Sequence, residues 1–203
     1  MCGIIGITSK KYIKNDLLKC LSNLEYRGYD SVGVYINKLI KKEGRVKDLI
    51  IPSYLDSKVG LGHSRWATHG GISKENAHPF ESDNFVLVHN GIISNYLEFK
   101  EELKLLNYKF KSETDSEVIL YLLECYFKKY NDVIKAIEKI KSIIKGTYAL
   151  GIIFKHEYDK IYFIKNESPL VIGLNDDYNF IIKLCKRNAN LVVQKIKIFI
   201  KSY

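Results

Sequence analysis

The order of the apolar segments along the chain is the strongest constraint on the fold. Strand-like segments predominate first, amphipathic helical segments follow, and strand-like segments return. The predicted strands span residues 2–8, 31–37, 59–65, 85–90, 147–154, 160–165 and 170–174, and the predicted helices span residues 14–26, 94–106, 114–129 and 132–144. Because strands and helices do not alternate regularly, the order predicts two largely antiparallel sheets stacked face to face, with helices outside, rather than a doubly wound parallel sheet.

The positive charge is concentrated near the C-terminal end. The 203 residues carry a formal net charge of +9, and residues 181–203 hold six basic side chains and no acid, which leaves +3 for residues 1–180. Only four of the 32 basic residues are arginine, which argues against a nucleic-acid-binding face. No apolar run approaches the roughly 20 residues of a membrane helix. We therefore expect a cytoplasmic protein that binds neither nucleic acid nor membrane.

Cys2 stands out among the four cysteines, which lie at positions 2, 20, 125 and 185 without a Cys-x-x-Cys spacing. The absence of that spacing argues against a zinc ribbon or a dithiol redox site. Removal of Met1 would leave Cys2 with a thiol and a free α-amine, and an α-amine can accept the thiol proton near neutral pH. Nucleophile and base would then belong to one residue. The alternative is a chance cysteine beside the initiator methionine.

Polar and rare side chains collect in a few predicted loops. These loops span residues 26–31, 62–71, 76–79, 89–91 and 112–115. They contain two of the four arginines, the only tryptophan and four of the five histidines. Because functional side chains tend to lie on loops held by a rigid scaffold, these segments are the candidate site.

Asn90-Gly91 has two interpretations. An asparagine amide and the following glycine N–H are suitable donors to the oxyanion of an acyl-transfer reaction. Asn-Gly is also the strongest short hairpin signal, so the pair could simply turn the chain after the strand 85–90.

Arg65 and Asp115 together suit an α-amino acid. A guanidinium forks onto a carboxylate, and a carboxylate can hold an ammonium. Asp115 could instead be an acid that stabilises the first turn of a helix. With a thiol nucleophile nearby, the pair indicates a substrate with a side-chain amide, hence glutamine or asparagine.

The histidines raise a metal alternative. Four of them, His63, His69, His78 and His89, could in principle ligate zinc. They lack a tight His-x-x-x-His spacing and have no cysteine nearby, which argues against a metal site.

Six segments, taken in order, resemble one enzyme family. They are Tyr26–Ser31, His63–Gly70, Asn76–Pro79, Val88–Ile92, Ser112–Glu117 and Ser168–Gly173. They resemble the type-2 glutamine amidotransferases, which are N-terminal nucleophile hydrolases, and more narrowly the glutaminase domains of glutamine–fructose-6-phosphate aminotransferases. The resemblance covers residues 2–181. It implies an α+β fold, a four-layer α-β-β-α sandwich, that hydrolyses L-glutamine and supplies ammonia for glucosamine 6-phosphate synthesis.

The resemblance also implies residue roles. Cys2, freed of Met1, attacks the glutamine amide, Asn90 and Gly91 form the oxyanion hole, and Arg27 orients the nucleophile. The implied substrate-binding residues are Arg65, Trp66, Thr68, His69, His78 and Asp115. Among these, Arg65 binds the glutamine carboxylate with Thr68 and His69, and Asp115 takes the α-amino group. The loop Arg65–Ser73 closes over glutamine, and the ammonia path begins at Trp66. No metal or cofactor is implied.

The sequence departs from the family at two places. Ile72 stands where the closing loop usually has a proline, and after Ile181 the family pattern gives way to the basic segment 182–203. We expect residues 2–181 to be the amidotransferase domain and residues 182–203 to be a truncated or frame-shifted end. A sugar-phosphate isomerase domain would then act from another chain. The alternative is a catalytically silent remnant or binding partner that keeps the fold.

Overall fold

The computed structural model describes residues 2–67, 70–174 and 177–182. In chain order the elements are β1 Gly3–Ser9, α1 Lys14–Leu24, β2 Ser31–Tyr35, β3 Leu39–Glu43, β4 Val59–Arg65, β5 Phe80–Glu81, β6 Phe85–Ile93, α2 Tyr96–Leu105, α3 Asp115–Tyr130, α4 Val133–Ile143, β7 Gly146–Phe154, β8 Tyr162–Asn166, β9 Val171–Leu174 and β10 Tyr178–Ile182. Short 3₁₀ turns span Glu25–Arg27 and Val46–Asp48. No helix in the described part of the chain is long and apolar enough to cross a membrane.

The strands form two antiparallel sheets. The first has six strands in the order β3-β2-β4-β1-β10-β9, and the second has four in the order β5-β6-β7-β8. All strand pairs within them are antiparallel. The predicted strands 147–154 and 160–165 are found as β7 and β8, which pair with each other.

Both sheets are buried on two faces. Along β1, Ile4 packs between the sheets, whereas Ile5 and Ile7 pack against α1. Along β6, Val86 and Val88 face the six-stranded sheet. The adjacent residues in the strand point to the opposite face and pack under α2, α3 and α4. Because strand side chains alternate between faces, this burial requires apolar residues at consecutive positions. The predicted four-layer α-β-β-α sandwich is therefore confirmed.

Some local predictions fail. The strands β3, β5 and β10 were not predicted. Helix α3 does begin after Thr114, but the Thr114 side chain does not cap it. Instead the Glu117 carboxylate accepts the backbone N–H groups of Lys111 and Ser112 at 2.7–3.1 Å. Apart from Ile182, the predicted tail 182–203 lies outside the described residues.

Candidate active site

Cys2 lies directly before β1, at the edge where β4 ends. The Trp66 N–H donates to the Cys2 sulfur at 3.4 Å, and the thiol lies 3.6 Å from the Trp66 carbonyl oxygen. Trp66 follows β4, the strand paired with β1. Gly28 lies against the same segment, since a Cβ there would come within 2.5 Å of the Arg65 carbonyl carbon. The close approach of three chain segments therefore fixes the sulfur.

Asn90-Gly91 lies inside strand β6 and does not form a turn. Asn90 pairs with Ala149 and Gly91 with Tyr148. Gly91 has a φ of +145°, a conformation open essentially to glycine alone. The Asn90 Nδ2 donates to the Cys2 carbonyl oxygen at 2.5 Å. The hairpin interpretation is therefore wrong, and the Asn90 amide is held at Cys2.

The Arg65 guanidinium is buried and holds the following loop. It donates from Nη1 to the Gly71 carbonyl at 3.0 Å and from Nη2 to the Gly70 carbonyl at 3.3 Å. Burial lowers the pKa of Arg65, although Cys2 and Asp30 oppose that effect. A buried guanidinium stays charged, so it supplies a fixed positive group at this end of the sheet. The predicted carboxylate-binding residues Thr68 and His69 lie outside the described residues.

Two residues that received no predicted role anchor the same loop. The Glu113 carboxylate accepts the Gly71 N–H at 3.2 Å, and the Asn76 amide donates to the Gly71 carbonyl at 3.0 Å. Asn76 also accepts the Glu113 N–H at 3.0 Å. Both residues stand in the polar segments noted above, but nothing in the sequence indicates that these segments meet.

Two further predicted site residues are Trp66 and Arg27. Trp66 is 43% exposed and packs edge-on against Tyr29, with ring centroids 5.5 Å apart. Arg27 is buried in the 3₁₀ turn Glu25–Arg27. The predicted roles of Trp66 in an ammonia path and of Arg27 in orienting the nucleophile stay predictions.

Asp115 is the first residue of α3. Its Oδ2 accepts the Ile93 N–H at 2.8 Å, and its Oδ1 lies 3.4 Å from His89 Nδ1 and accepts the Ser116 hydroxyl at 3.3 Å. Burial raises the pKa of Asp115, but the bonds from His89, Ile93 and Ser116 outweigh burial and hold it below its usual value. The carboxylate is therefore charged and fixed.

Three of the predicted-loop histidines, His63, His78 and His89, meet inside the protein. The rings of His63 and His78 stack with centroids 4.2 Å apart, and His63 Nε2 lies 3.0 Å from the His89 carbonyl oxygen. Within the described residues, no group of three or more His, Cys, Asp or Glu side chains is arranged to hold a metal ion. His78, predicted to bind substrate, is 5% exposed and contacts Ser116. Its predicted part in substrate binding stays a prediction.

A comparison with known families decides the affiliation. The family model described as the glutamine amidotransferase domain matches residues 50–165, more than half of the chain. The chain belongs to the glutamine amidotransferase family. This affiliation confirms the predicted resemblance.

Curated relatives of this glutamine amidotransferase share one name. The glutamine–fructose-6-phosphate aminotransferase (isomerizing) of Oceanobacillus iheyensis is 41% identical over 210 residues, covering 99% of this chain and 35% of that protein. The proteins of that name from Aquifex aeolicus and Streptococcus pneumoniae are 44% and 42% identical, each over 89% of this chain. The chain spans about a third of the length of these relatives.

Two solved structures share the fold. The glutamine phosphoribosylpyrophosphate amidotransferase from B. subtilis superposes with a TM-score of 0.77 over 90% of this chain and 42% of its own, at 22% identity. An allosteric regulatory enzyme of purine biosynthesis gives the same TM-score at 26% identity. The sandwich of this glutamine amidotransferase is therefore that of known N-terminal nucleophile amidotransferases.

Proposed function

We propose that this chain hydrolyses L-glutamine to glutamate and ammonia through a γ-glutamyl thioester on Cys2. The observation that carries the proposal is the position of the Asn90 amide, 2.5 Å from the Cys2 carbonyl oxygen. These residues are 88 positions apart in the sequence. Acyl transfer by a thiol requires an oxyanion donor close to the residue that carries the thiol.

The chemistry begins with removal of Met1, which frees the α-amine of Cys2. That amine takes the thiol proton, and the sulfur attacks the side-chain amide carbon of glutamine. The negative oxygen that develops accepts hydrogen bonds from the Asn90 amide and the Gly91 N–H. The carbon–nitrogen bond breaks as the nitrogen takes the proton and leaves as ammonia. Water then adds to the thioester, the carbon–sulfur bond breaks, and glutamate departs.

Substrate binding rests on two opposite charges. Arg65 is proposed to bind the α-carboxylate and Asp115 the α-ammonium, with Thr68 and His69 assisting at the carboxylate. Support comes from the burial of the Arg65 guanidinium and from the carboxylate of Asp115, which fixed donors keep charged. A zwitterion held at both ends leaves the side-chain amide as the group presented to the sulfur.

The fate of the ammonia is the second part of the proposal. We infer that it serves glucosamine 6-phosphate synthesis by a sugar-phosphate isomerase domain, on another chain or in residues outside these 203. The names of the curated relatives support this inference, and so does the match to about a third of their length. Amino sugar should form from fructose 6-phosphate and glutamine only when such a domain is added.

Glutamate release by the purified chain tests the proposal. Intact mass spectrometry first establishes that Met1 is gone. Cys2→Ala should lower turnover about a thousandfold or more, because the nucleophile is lost. Cys20→Ala is the matched control, since burial, with Asp16 nearby, raises the pKa of the Cys20 thiol and makes it a poor nucleophile.

Two results would overturn the proposal. The first is glutamate release that survives Cys2→Ala. The second is a folded, Met1-free wild-type chain that releases no glutamate, which would support the catalytically silent alternative.

A further inference from the structure

Ser116 lies at the junction of three polar side chains. Its Oγ lies 2.8 Å from His78 Nε2 and 2.9 Å from His89 Nδ1, and its hydroxyl donates to Asp115 Oδ1 at 3.3 Å. Ser116, His78 and His89 are all buried. Because these buried groups are shielded from water, each N–H or O–H donor among them needs an acceptor among its neighbours.

Counting hydrogens fixes how they are shared. A serine hydroxyl can donate one hydrogen and accept two, and a neutral imidazole carries one N–H. His78 Nδ1 and His89 Nε2 are buried without a hydrogen-bond partner. A buried N–H without an acceptor is costly, so the ring protons belong on the other nitrogens, His78 Nε2 and His89 Nδ1. Both rings then donate to Ser116 Oγ, with the His89 N–H shared with Asp115 Oδ1, and Ser116 donates to Asp115.

We propose that His78, His89 and Ser116 are positioning residues that hold the Asp115 carboxylate in place for the α-ammonium of the amino acid substrate. The proposal rests on the proposed function, because it deepens the role of Asp115 in that site. None of the three residues needs to touch the substrate. They supply ordered donors to one carboxylate oxygen of Asp115, Oδ1. The Ile93 N–H donates to the other oxygen, Oδ2.

The geometry explains why such a chain of donors is useful. Asp115 has little exposed surface, and an incompletely hydrogen-bonded buried carboxylate would favour its neutral form. A neutral or rotated Asp115 would lose its attraction for an ammonium. Burial of His78, beside His63, His89, Lys41 and Arg65, lowers its pKa well below 6.5, which keeps this donor neutral.

Steady-state kinetics of glutamate release test the positioning role. Ser116→Ala should raise the KM for glutamine at least tenfold and change kcat less than threefold, because a hydrogen bond to a charged, substrate-binding group is lost. Ser116→Thr keeps the hydroxyl and should restore KM to within about threefold of wild type. Ser142→Ala, whose hydroxyl only meets the Lys139 carbonyl, is the matched control and should change neither constant. An unchanged KM in Ser116→Ala, or a fall in kcat alone, overturns the proposal.

Imidazole nitrogen NMR gives a readout that does not depend on turnover. The wild-type chain at pH 7.5 should show the proton of His78 on Nε2 and that of His89 on Nδ1, with assignments from His78→Gln and His89→Gln. Opposite tautomers, or a doubly protonated ring, overturn the donor chain. If the wild-type chain releases no glutamate, the proposed function fails, whereas the tautomers still decide the hydrogen-bond arrangement.

Discussion

The burial of His78 predicts that the protein loses stability in mild acid. The groups that face this ring are His63, His89, Lys41 and Arg65 together with the Ser116 hydroxyl. Burial, followed by the repulsion of these basic groups, lowers the pKa of His78 well below its ordinary value of 6.5. In the folded chain the ring therefore stays neutral at pH values where the unfolded chain takes up a proton.

The sign and size of the effect follow from proton linkage. A folded-state pKa below the unfolded one means that stability is complete above pH 6.5 and falls as the pH drops through that value. One proton taken up only on unfolding gives a slope of about 1.4 kcal/mol per pH unit, or about 2 kcal/mol between pH 7.5 and pH 5.0. Other groups titrate in the same range, so His78 is isolated by comparison with a variant that cannot titrate.

Urea unfolding at the two pH values measures this difference. Between pH 7.5 and pH 5.0 the wild-type chain should lose about 2 kcal/mol more free energy of unfolding than His78→Gln. Glutamine keeps an N–H donor for Ser116. The substitution therefore removes the titrating imidazole of His78 while keeping the hydrogen bond. His156→Gln, at an exposed histidine, should behave as the wild type does. Equal losses in the wild type and in His78→Gln would refute the argument.

Two further substitutions test the strand and helix that hold the site. Gly91→Ala should destabilise the chain by about 3 kcal/mol or more, because a Cβ there would lie 2.0 Å from the Thr147 carbonyl oxygen at a φ of +145°. Gly71→Ala, with nothing within 4 Å of its Cβ, is the control, and equal melting temperatures would contradict the strain argument. Glu117→Gln should cost about 2 kcal/mol in urea unfolding, because the buried carboxylate loses charge-assisted bonds from Ser112. Unchanged stability would show that the charge of Glu117 is not needed.

The sequence was a good guide to the fold wherever burial dictates the pattern. Strand β4, Val59–Arg65, has the predicted bounds because every residue in it is buried. Strand β3 was not predicted because its half-exposed segment Leu39–Glu43 carries two lysines and a glutamate and lacks an apolar face. Strand β5 has only two residues and acquires its structure from pairing with β6. Tertiary pairing, which local propensity does not encode, accounts for these failures.

The sequence was a weaker guide to the site, because it indicates which residues have suitable chemistry but not how they are arranged in space. Cys2, Arg65 and Asp115 could be singled out by their chemistry and by the loops they occupy. The continuation of strand β6 through Gly91 could not be predicted, since an Asn-Gly pair locally favours a turn and only pairing with β7 overrides that preference. The role inferred for Ser116 depends on three-dimensional contacts alone, because a serine in the first turn of a helix is unremarkable in sequence.

Strand β6 explains how one short segment can serve both ends of a substrate. Successive side chains in a strand point to opposite faces. His89 therefore faces α3, where it bonds Ser116 beside Asp115, whereas Asn90 faces the six-stranded sheet and bonds Cys2. The backbone of the same strand binds Asp115 through the Ile93 N–H. Because a paired strand is stiff, the separation between the proposed ammonium site and the proposed oxyanion donors is set by backbone geometry. A change that shifts the β6–β7 register should therefore disturb binding and chemistry together, whereas loss of a side chain behind Asp115 should disturb binding alone.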